Sequence, residues 1–268
     1  MSKEQRWSAV LEMLAARGRV EVEEAAARLG VSAATVRRDL DELAGRRLLV
    51  RTRGGAVAHG VSYELPLSHK AARHAPEKQR IARAVAELVA RGEVVGLNGG
   101  TTTTEVARAL AVRHSGPEPG NAAPEADAAP ALTVVTNAVN IAAELAVRPR
   151  LKTVVTGGVA RARTYELVGP LTGGVLDEVV LDVAVLGIDG IDPERGVMAH
   201  HEDEAAVSRV LAGRARRVIV AADASKAGRR AFARICPLEE VDALVTDASL
   251  PGGIRDRLGE AGITVHTV

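Results

Sequence analysis

Two groups of residues in this chain have types and spacings suited to chemistry. The first is the run Leu97-Asn98-Gly99-Gly100-Thr101-Thr102-Thr103-Thr104, set between a β-rich segment and a helical pattern. Glycines let a chain turn with its N–H groups exposed, threonines add hydroxyl donors, and the N-terminus of a following helix favours an anion. The run has no Walker lysine and does not match G-x-G-x-x-G, so neither a nucleoside triphosphate nor a dinucleotide is indicated. A phosphate monoester on a small ligand suits it better, and no cofactor is called for. Taken alone it reads equally as a tight turn with a threonine cap. Four more segments are small and polar and follow β-rich runs: Thr136-Asn137, Thr156-Gly157-Gly158, Gly187-Ile188-Asp189-Gly190 and Ala222-Asp223-Ala224-Ser225-Lys226. Asn137 and Asp189 can hydrogen-bond sugar hydroxyls, and Lys226 can set a point charge on phosphate. Singly each reads as a cap or turn; their recurrence at one edge of one sheet makes them a candidate ligand site.

The second group is basic. Arg37, Arg38, Arg46, Arg47, Arg51 and Arg53 face only Asp39, Asp41 and Glu42, and residues 1–60 hold eleven Lys/Arg against eight Asp/Glu. A local basic stripe is a nucleic-acid footprint, although arginine-rich helix faces also occur simply solvated. The elements that carry it are legible. Ser2 and Gln5 form a capping box, Trp7, Val10, Leu11 and Leu14 make one apolar stripe, and Gly18 ends that helix. A second helix around Glu23–Leu29 buries Ala25, Ala26 and Leu29 and stops at Gly30; Ser32 then caps a third, 33–44. This is the helix-turn-helix pattern. Val36, Leu40 and Leu43 form the buried stripe of the third helix, leaving Ala34, Arg37, Arg38 and Asp41 on the face that enters a major groove. Ala33 and Ala34 permit close approach, and Arg37 and Arg38 can read guanine or clamp phosphate. A strand at Leu48–Arg51, a turn at Thr52–Gly55 and a return at Ala56-Val57 read as a β-hairpin wing whose Arg51 and Arg53 meet phosphate or the minor groove. A three-helix protein-interaction module is the alternative; arginines on both helix and wing weigh against it.

Composition bounds the rest. The chain is 47% apolar, mostly Ala, Val and Leu, and its aromatics are Trp7, Tyr63, Tyr165 and Phe232, too few for a stacking platform on single-stranded nucleic acid. Cys236 is alone, which excludes a disulfide framework and a thiolate zinc site. The charged N-terminal stretch does not read as a secretory signal, and no run approaches the ~20 apolar residues of a membrane span. A cytoplasmic, soluble protein with no membrane partner is expected. Its 268 residues divide into a winged helix-turn-helix at 1–57, a linker at 58–76 and a larger domain at 77–268. In that domain helical stretches alternate with β-rich runs, which implies an α/β fold with a mainly parallel sheet and a ligand at the carboxyl ends of its strands. Residues 115–130, rich in Pro, Gly, Ala and acids, read as a disordered surface insertion.

The stretch from Gly18 to Val57 closely resembles the N-terminal domain of the DeoR family of bacterial regulators, through its V-S-x-x-T-V-R-R-D-L core and R-T-x-G-G-A wing. The resemblance implies that Ser32, Thr35, Arg37 and Arg38 lie at the DNA surface. LNGGTTTTEVARAL, LTVVTNAVNIAAEL, VVTGG, LVGP, AVLGIDGID and ADASKAGRRAFARI resemble the sensor domain of the same family. That domain is related in fold to ribose-5-phosphate isomerase and recognises phosphorylated sugars or their metabolites. By that resemblance Asn98, Gly99, Gly100, Thr101, Thr102, Thr103, Asn137, Gly157, Gly158, Asp189, Gly190 and Lys226 are effector-site candidates. Two positions depart from the family pattern: Asn98 stands where an aspartate is common, and Ser208 where members usually have a lysine. The expected partners are a double-stranded DNA operator, a phosphorylated sugar effector and further copies of the chain, at least one, since helix-turn-helix readers work in pairs.

A sugar-phosphate isomerase with an appended DNA-binding domain is the rival. It needs a general base and an enediolate-stabilising group, for which Asp189, Glu202 and Glu204 are available, but Asn98 and Ser208 remove charge where a catalyst needs it. The expectation is a regulator, not an enzyme. His200-His201-Glu202-Asp203 also invites a metal reading; adjacent histidines with no spaced partner read instead as loop surface, and no metal is expected. A purely structural oligomerisation role for the larger domain would coexist with sensing.

Overall fold

The structure, a computed structural model, describes residues 2–17, 19–45, 48–57, 67–71, 73–116 and 129–268. Gly18, Arg46, Arg47, most of the expected linker and most of the 115–130 insertion lie outside the described residues. The chain forms two compact units, residues 1–73 and 74–268.

The smaller unit contains α1 (Lys3–Arg17), β1 (Arg19–Glu21), α2 (Val22–Leu29), α3 (Ala33–Gly45), β2 (Val50–Thr52), β3 (Gly55–Val57) and the short α4 (Leu67–Ala71). Trp7, Val10, Leu11 and Leu14 of α1 pack with Val36, Leu40 and Leu43 of α3, as the 3.6-residue period requires. Gly30 takes the left-handed conformation that ends α2 (φ 64°) and its N–H bonds Ala26 O. The wing is a three-stranded antiparallel sheet in the order β1-β3-β2, a strand more than the expected hairpin. Gly55 is essential to it, because a Cβ there would lie 2.0 Å from the Val20 carbonyl oxygen. Leu48 and Leu49, expected within the first wing strand, precede β2 and are buried in the core.

The larger unit runs α5 (Ala75–Glu87), β4 (Val94–Leu97), α6 (Thr101–His114), β5 (Leu132–Thr136), α7 (Val139–Leu145), β6 (Leu151–Val155), β7 (Val159–Ala160) and β8 (Leu167–Val168). It continues with α8 (Gly173–Asp177), β9 (Val183–Leu186), β10 (Gly190–Asp192), β11 (Gly196–Ala199), α9 (Glu202–Arg214) and β12 (Val218–Ala221), and ends with β13 (Ala233–Cys236), β14 (Ala243–Thr246), α10 (Gly252–Glu260) and β15 (Thr264–Thr267). Seven strands make a wholly parallel sheet in the order β15-β14-β12-β9-β4-β5-β6. Its central strands are continuous apolar runs, as burial on both faces demands: Val183 and Val185 pack with α5, α6 and α7, while Ala184 and Leu186 pack with α8, α9 and α10. A three-stranded antiparallel sheet, β10-β11-β13, and the β7–β8 pair complete the unit.

This topology fixes where a ligand can sit. From β4 the chain crosses through α6 on one face of the sheet, and from its neighbour β9 it reaches β12 through α9 on the other. Adjacent strands whose connections leave on opposite faces open a crevice at their carboxyl ends.

Candidate functional site

In the smaller unit α3 presents one polar face. Ala34, Arg37, Arg38 and Asp41 are exposed, and Ala33 is half-buried against the core. Ser32 caps the helix, its Oγ accepting from the Thr35 N–H at 3.1 Å and sharing a 2.9 Å hydrogen bond with Thr35 Oγ1. Arg37 makes a 3.2 Å contact to Glu23 in full view of solvent, which leaves it easily redirected. Arg53 is exposed at the wing turn, beside Gly54 at φ 94°. Arg51 is placed differently from an outward-reaching wing residue: its Nε donates to Asp41 at 2.7 Å and its Nη1 to the Gly55 carbonyl, tying wing to α3.

Asp39, counted in the sequence as a charge offsetting the basic stripe, is 3% exposed and faces inward. It accepts from Arg6 Nε at 2.7 Å, Arg6 Nη2 at 3.1 Å and Trp7 Nε1 at 3.0 Å. A buried carboxylate is tolerated only when it is paired and hydrogen-bonded, and this one locks α3 onto α1 so that the arginine face holds its angle.

In the larger unit the loops after β4, β9 and β12 meet at the carboxyl ends of the strands, and the β5 loop is tied to Glu166 beside them. Asn98, one residue beyond β4, joins it to the end of β9: Oδ1 accepts from Gly187 N–H at 2.8 Å and Nδ2 donates to Gly187 O at 2.9 Å. The same nitrogen donates to Ser208 Oγ of α9 at 3.0 Å. Gly100 opens α6 at φ 132° and, having no side chain, does not cap it; the first N–H groups of a helix favour an anion. Thr101 is half-buried at the first helical position, Thr102 and Thr103 are buried, and the hydroxyls of Thr103 and Thr104 turn back to donate to Gly100 O.

Asp189 and Lys226 come together from separate loops, with Lys226 Nζ 3.7 Å from Asp189 Oδ1. Asp189 Oδ2 accepts the His200 N–H at 2.9 Å. Gly190 begins β10, where a Cβ would stand 2.4 Å from Arg229 O. Gly157 and Gly158 follow the edge strand β6, and Cβ atoms on them would meet Leu171 O at 2.5 Å and Thr172 Cγ2 at 2.8 Å. Packing on the 167–172 segment by itself requires glycine at both positions.

Two carboxyl groups not singled out as effector residues complete the crevice. Glu166, just before β8, is 5% exposed; Asn137 Nδ2 donates to its Oε2 at 3.0 Å and the Gly99 N–H also bonds it. A Cβ on Gly99 would lie 2.2 Å from Glu166 Cγ, so the glycine makes room for this acid. Burial first, then the charges of Glu204 and Asp189, push the Glu166 carboxyl up to about 8. Glu204, in the first turn of α9, accepts from Thr164 Oγ1 at 2.8 Å and lies 3.3 Å from Arg161 Nη1. His201 caps α9 by accepting from Asp203 N–H at 3.4 Å, and His200 Nε2 lies 3.9 Å from Asp189. Among the described residues no group of His, Cys, Asp and Glu is set to hold a metal ion, and no helix is long and apolar enough to cross a membrane.

Comparison with known proteins agrees with both units. The family model of the DeoR-like helix-turn-helix domain matches residues 6–60, and that of the DeoR C terminal sensor domain matches residues 73–248. The chain is 36% identical to the HTH-type transcriptional regulator GlpR of Haloferax volcanii, over 91% of this chain and 89% of the relative. It is 34% identical to the glycerol-3-phosphate regulon repressor of Escherichia coli, over 99% of each. Among solved structures, ribose 5-phosphate isomerase A from Methanocaldococcus jannaschii aligns with a TM-score of 0.41 and 19% identity, over 57% of this chain and 55% of that one, a likeness too distant to speak to activity. A DNA-reading unit followed by a sensor unit, matched along nearly the whole sequence, places this chain in the DeoR family of helix-turn-helix transcriptional regulators.

Proposed function

We propose that this protein is a cytoplasmic repressor that occupies its operator as an oligomer of at least two copies and is released when a phosphorylated sugar enters the larger unit. Residues 1–57 read the DNA, with Arg37, Arg38 and Arg53 as the contacts to base edges and phosphates and Ser32, Ala33, Ala34 and Thr35 as the close-approach surface; Arg51 joins them by exchanging Asp41 for phosphate. The observation that carries the sensing half is the convergence, at one switch point of the sheet, of the uncapped α6 N-terminus, Asn137 and the Asp189–Lys226 pair. The phosphate takes the N–H groups at residues 100–103, and the sugar hydroxyls take Asp189 and Asn137. The E. coli relative, named as a glycerol-3-phosphate regulon repressor, supports an effector that is a small phosphate monoester.

Binding without turnover is the reading we favour, because Asn98 and Ser208 form a neutral pair at the position nearest both crossovers. The test has two parts. Labelled duplex from upstream of the protein's own gene is titrated against unrelated duplex at several salt concentrations, and sugar phosphates are titrated calorimetrically onto the DNA-free protein. Sequence-dependent DNA binding together with saturable sugar-phosphate binding meets the proposal. Equal affinity for every duplex, or turnover of a sugar phosphate by the protein, contradicts it.

A further inference from the structure

Glu166 is buried between two other acids, Glu204 and Asp189. Its carboxyl is held by Asn137 Nδ2 and the Gly99 N–H, and no cationic side chain pairs with it among the described residues. The neighbouring cations serve other acids: Arg161 stands by Glu204, and Lys226 and His200 stand by Asp189. A second shortage lies on the amide that holds Glu166. Asn137 is wholly buried, its Nδ2 donates to Glu166 Oε2 and to Leu167 O at 3.1 Å, and its Oδ1 has no partner. Those two donations fix which end of the amide is oxygen. Position 208, on the adjacent helix, supplies a hydroxyl to Asn98 and not a cation. A buried acceptor without a donor is costly, and a carboxyl buried among other acids without a cation keeps its proton instead of its charge.

An ammonium group supplies three N–H donors and one positive charge, whereas a hydroxyl supplies a single donor and no charge. We infer that the effector is a phosphorylated amino sugar, its ammonium held by Glu166 and Asn137 Oδ1 and its phosphate by the α6 N-terminus. The inference rests on the crevice being the effector site. The charge balance is simple. Glu166 is protonated near neutral pH, facing Glu204 from α9 and Asp189 from the β9 loop; as the ammonium arrives, the carboxyl proton leaves to solvent and the ligand keeps all three of its own.

The experiment is calorimetric titration of the full chain with glucosamine 6-phosphate, glucose 6-phosphate and N-acetylglucosamine 6-phosphate, and with the corresponding galacto compounds, each in two buffers of different ionisation enthalpy. One amino compound is expected to bind at least about 10-fold more tightly than its hydroxyl and acetamido counterparts, releasing about one proton. Glu166→Gln is expected to bring that ratio close to one, and Glu166→Asp to retain part of it. A hydroxyl or acetamido compound binding as tightly as its amino counterpart overturns the amine assignment and leaves the effector site standing. A preference that survives Glu166→Gln overturns the role of Glu166. If none of the six compounds binds, the amine inference is overturned, and the effector reading of the crevice is decided separately by the wider sugar-phosphate titration.

Discussion

Asn98 and Ser208, 110 residues apart in sequence, meet through a 3.0 Å hydrogen bond in which both partners are buried. The resemblance to the family leads one to expect an aspartate and a lysine at these positions. The two departures meet in one contact, a neutral pair made where β4, β9 and α9 converge. The amide keeps what an aspartate would lose, a donor to the Gly187 carbonyl.

Asn98→Asp removes that donor and sets a charge against a carbonyl, and Ser208→Lys buries an ammonium facing an amide. Each single change is expected to destabilise the larger unit by about 1–3 kcal/mol. The double variant rebuilds a charged pair, so its cost should fall short of the sum by about 0.5–3 kcal/mol. Chemical denaturation of the four proteins checks this; strict additivity would mean the side chains do not share one site.

Arg38 stands on the exposed face of α3, away from the core. Arg38→Ala is expected to weaken operator binding by about 1–3 kcal/mol and to leave the thermal midpoint unchanged. Anisotropy and a melt on the same preparation measure both. Equal affinity with and without Arg38 would remove this face from the DNA contact.

Asp39 acts from the opposite side of the same helix. Asp39→Ala takes away the carboxylate that Arg6 and the Trp7 N–H share, and with it the polar tie between α1 and α3. The smaller unit should unfold at markedly lower temperature and DNA binding should be lost with it, while sugar-phosphate binding persists. Calorimetric titration on the variant separates the two.

The pH dependence has a definite sign. Glu166 keeps its proton in the folded chain up to about 8, against an ordinary value of 4.5 when unfolded. Between those limits the folded state binds the extra proton, so its stabilising contribution is complete below the lower value and is lost as pH rises through the upper one. The wild type should lose up to about 1.4 kcal/mol per pH unit from this group across that window. Glu166→Gln has no such slope, and the two denaturation curves should diverge with rising pH in favour of the variant. Parallel curves would show that Glu166 is not held as an acid.

Much of this was readable in the sequence where the determinants are local. Trp7, Val10, Leu11 and Leu14 repeat at helical spacing, Ser32 sits where a cap belongs, and each long β-rich run ends in a small, polar loop. What escaped reading depends on partners distant in the chain. Arg19–Glu21 is too short to show a period and becomes a strand only because β3 pairs with it. Asp39 is one residue from the exposed arginines, and only the packing of α1 turns it into a buried anchor. Glu166 carries no local pattern, and its significance arises when Asn137, Gly99 and Glu204 close around it. A chain close to a ligand and a chain close to another backbone require the same residue, so the packing of Gly157 and Gly158 on the 167–172 segment left no separate mark in the sequence.

A repressor of this kind requires that the crevice and the arginine face of α3 be thermodynamically linked. The most direct test is the operator affinity of the full chain, by fluorescence anisotropy, without and with a sugar phosphate at saturating concentration. A coupling of about 1–3 kcal/mol predicts an affinity lowered by roughly 5–150-fold. An operator affinity that does not move while the sugar phosphate demonstrably occupies the protein would contradict the account.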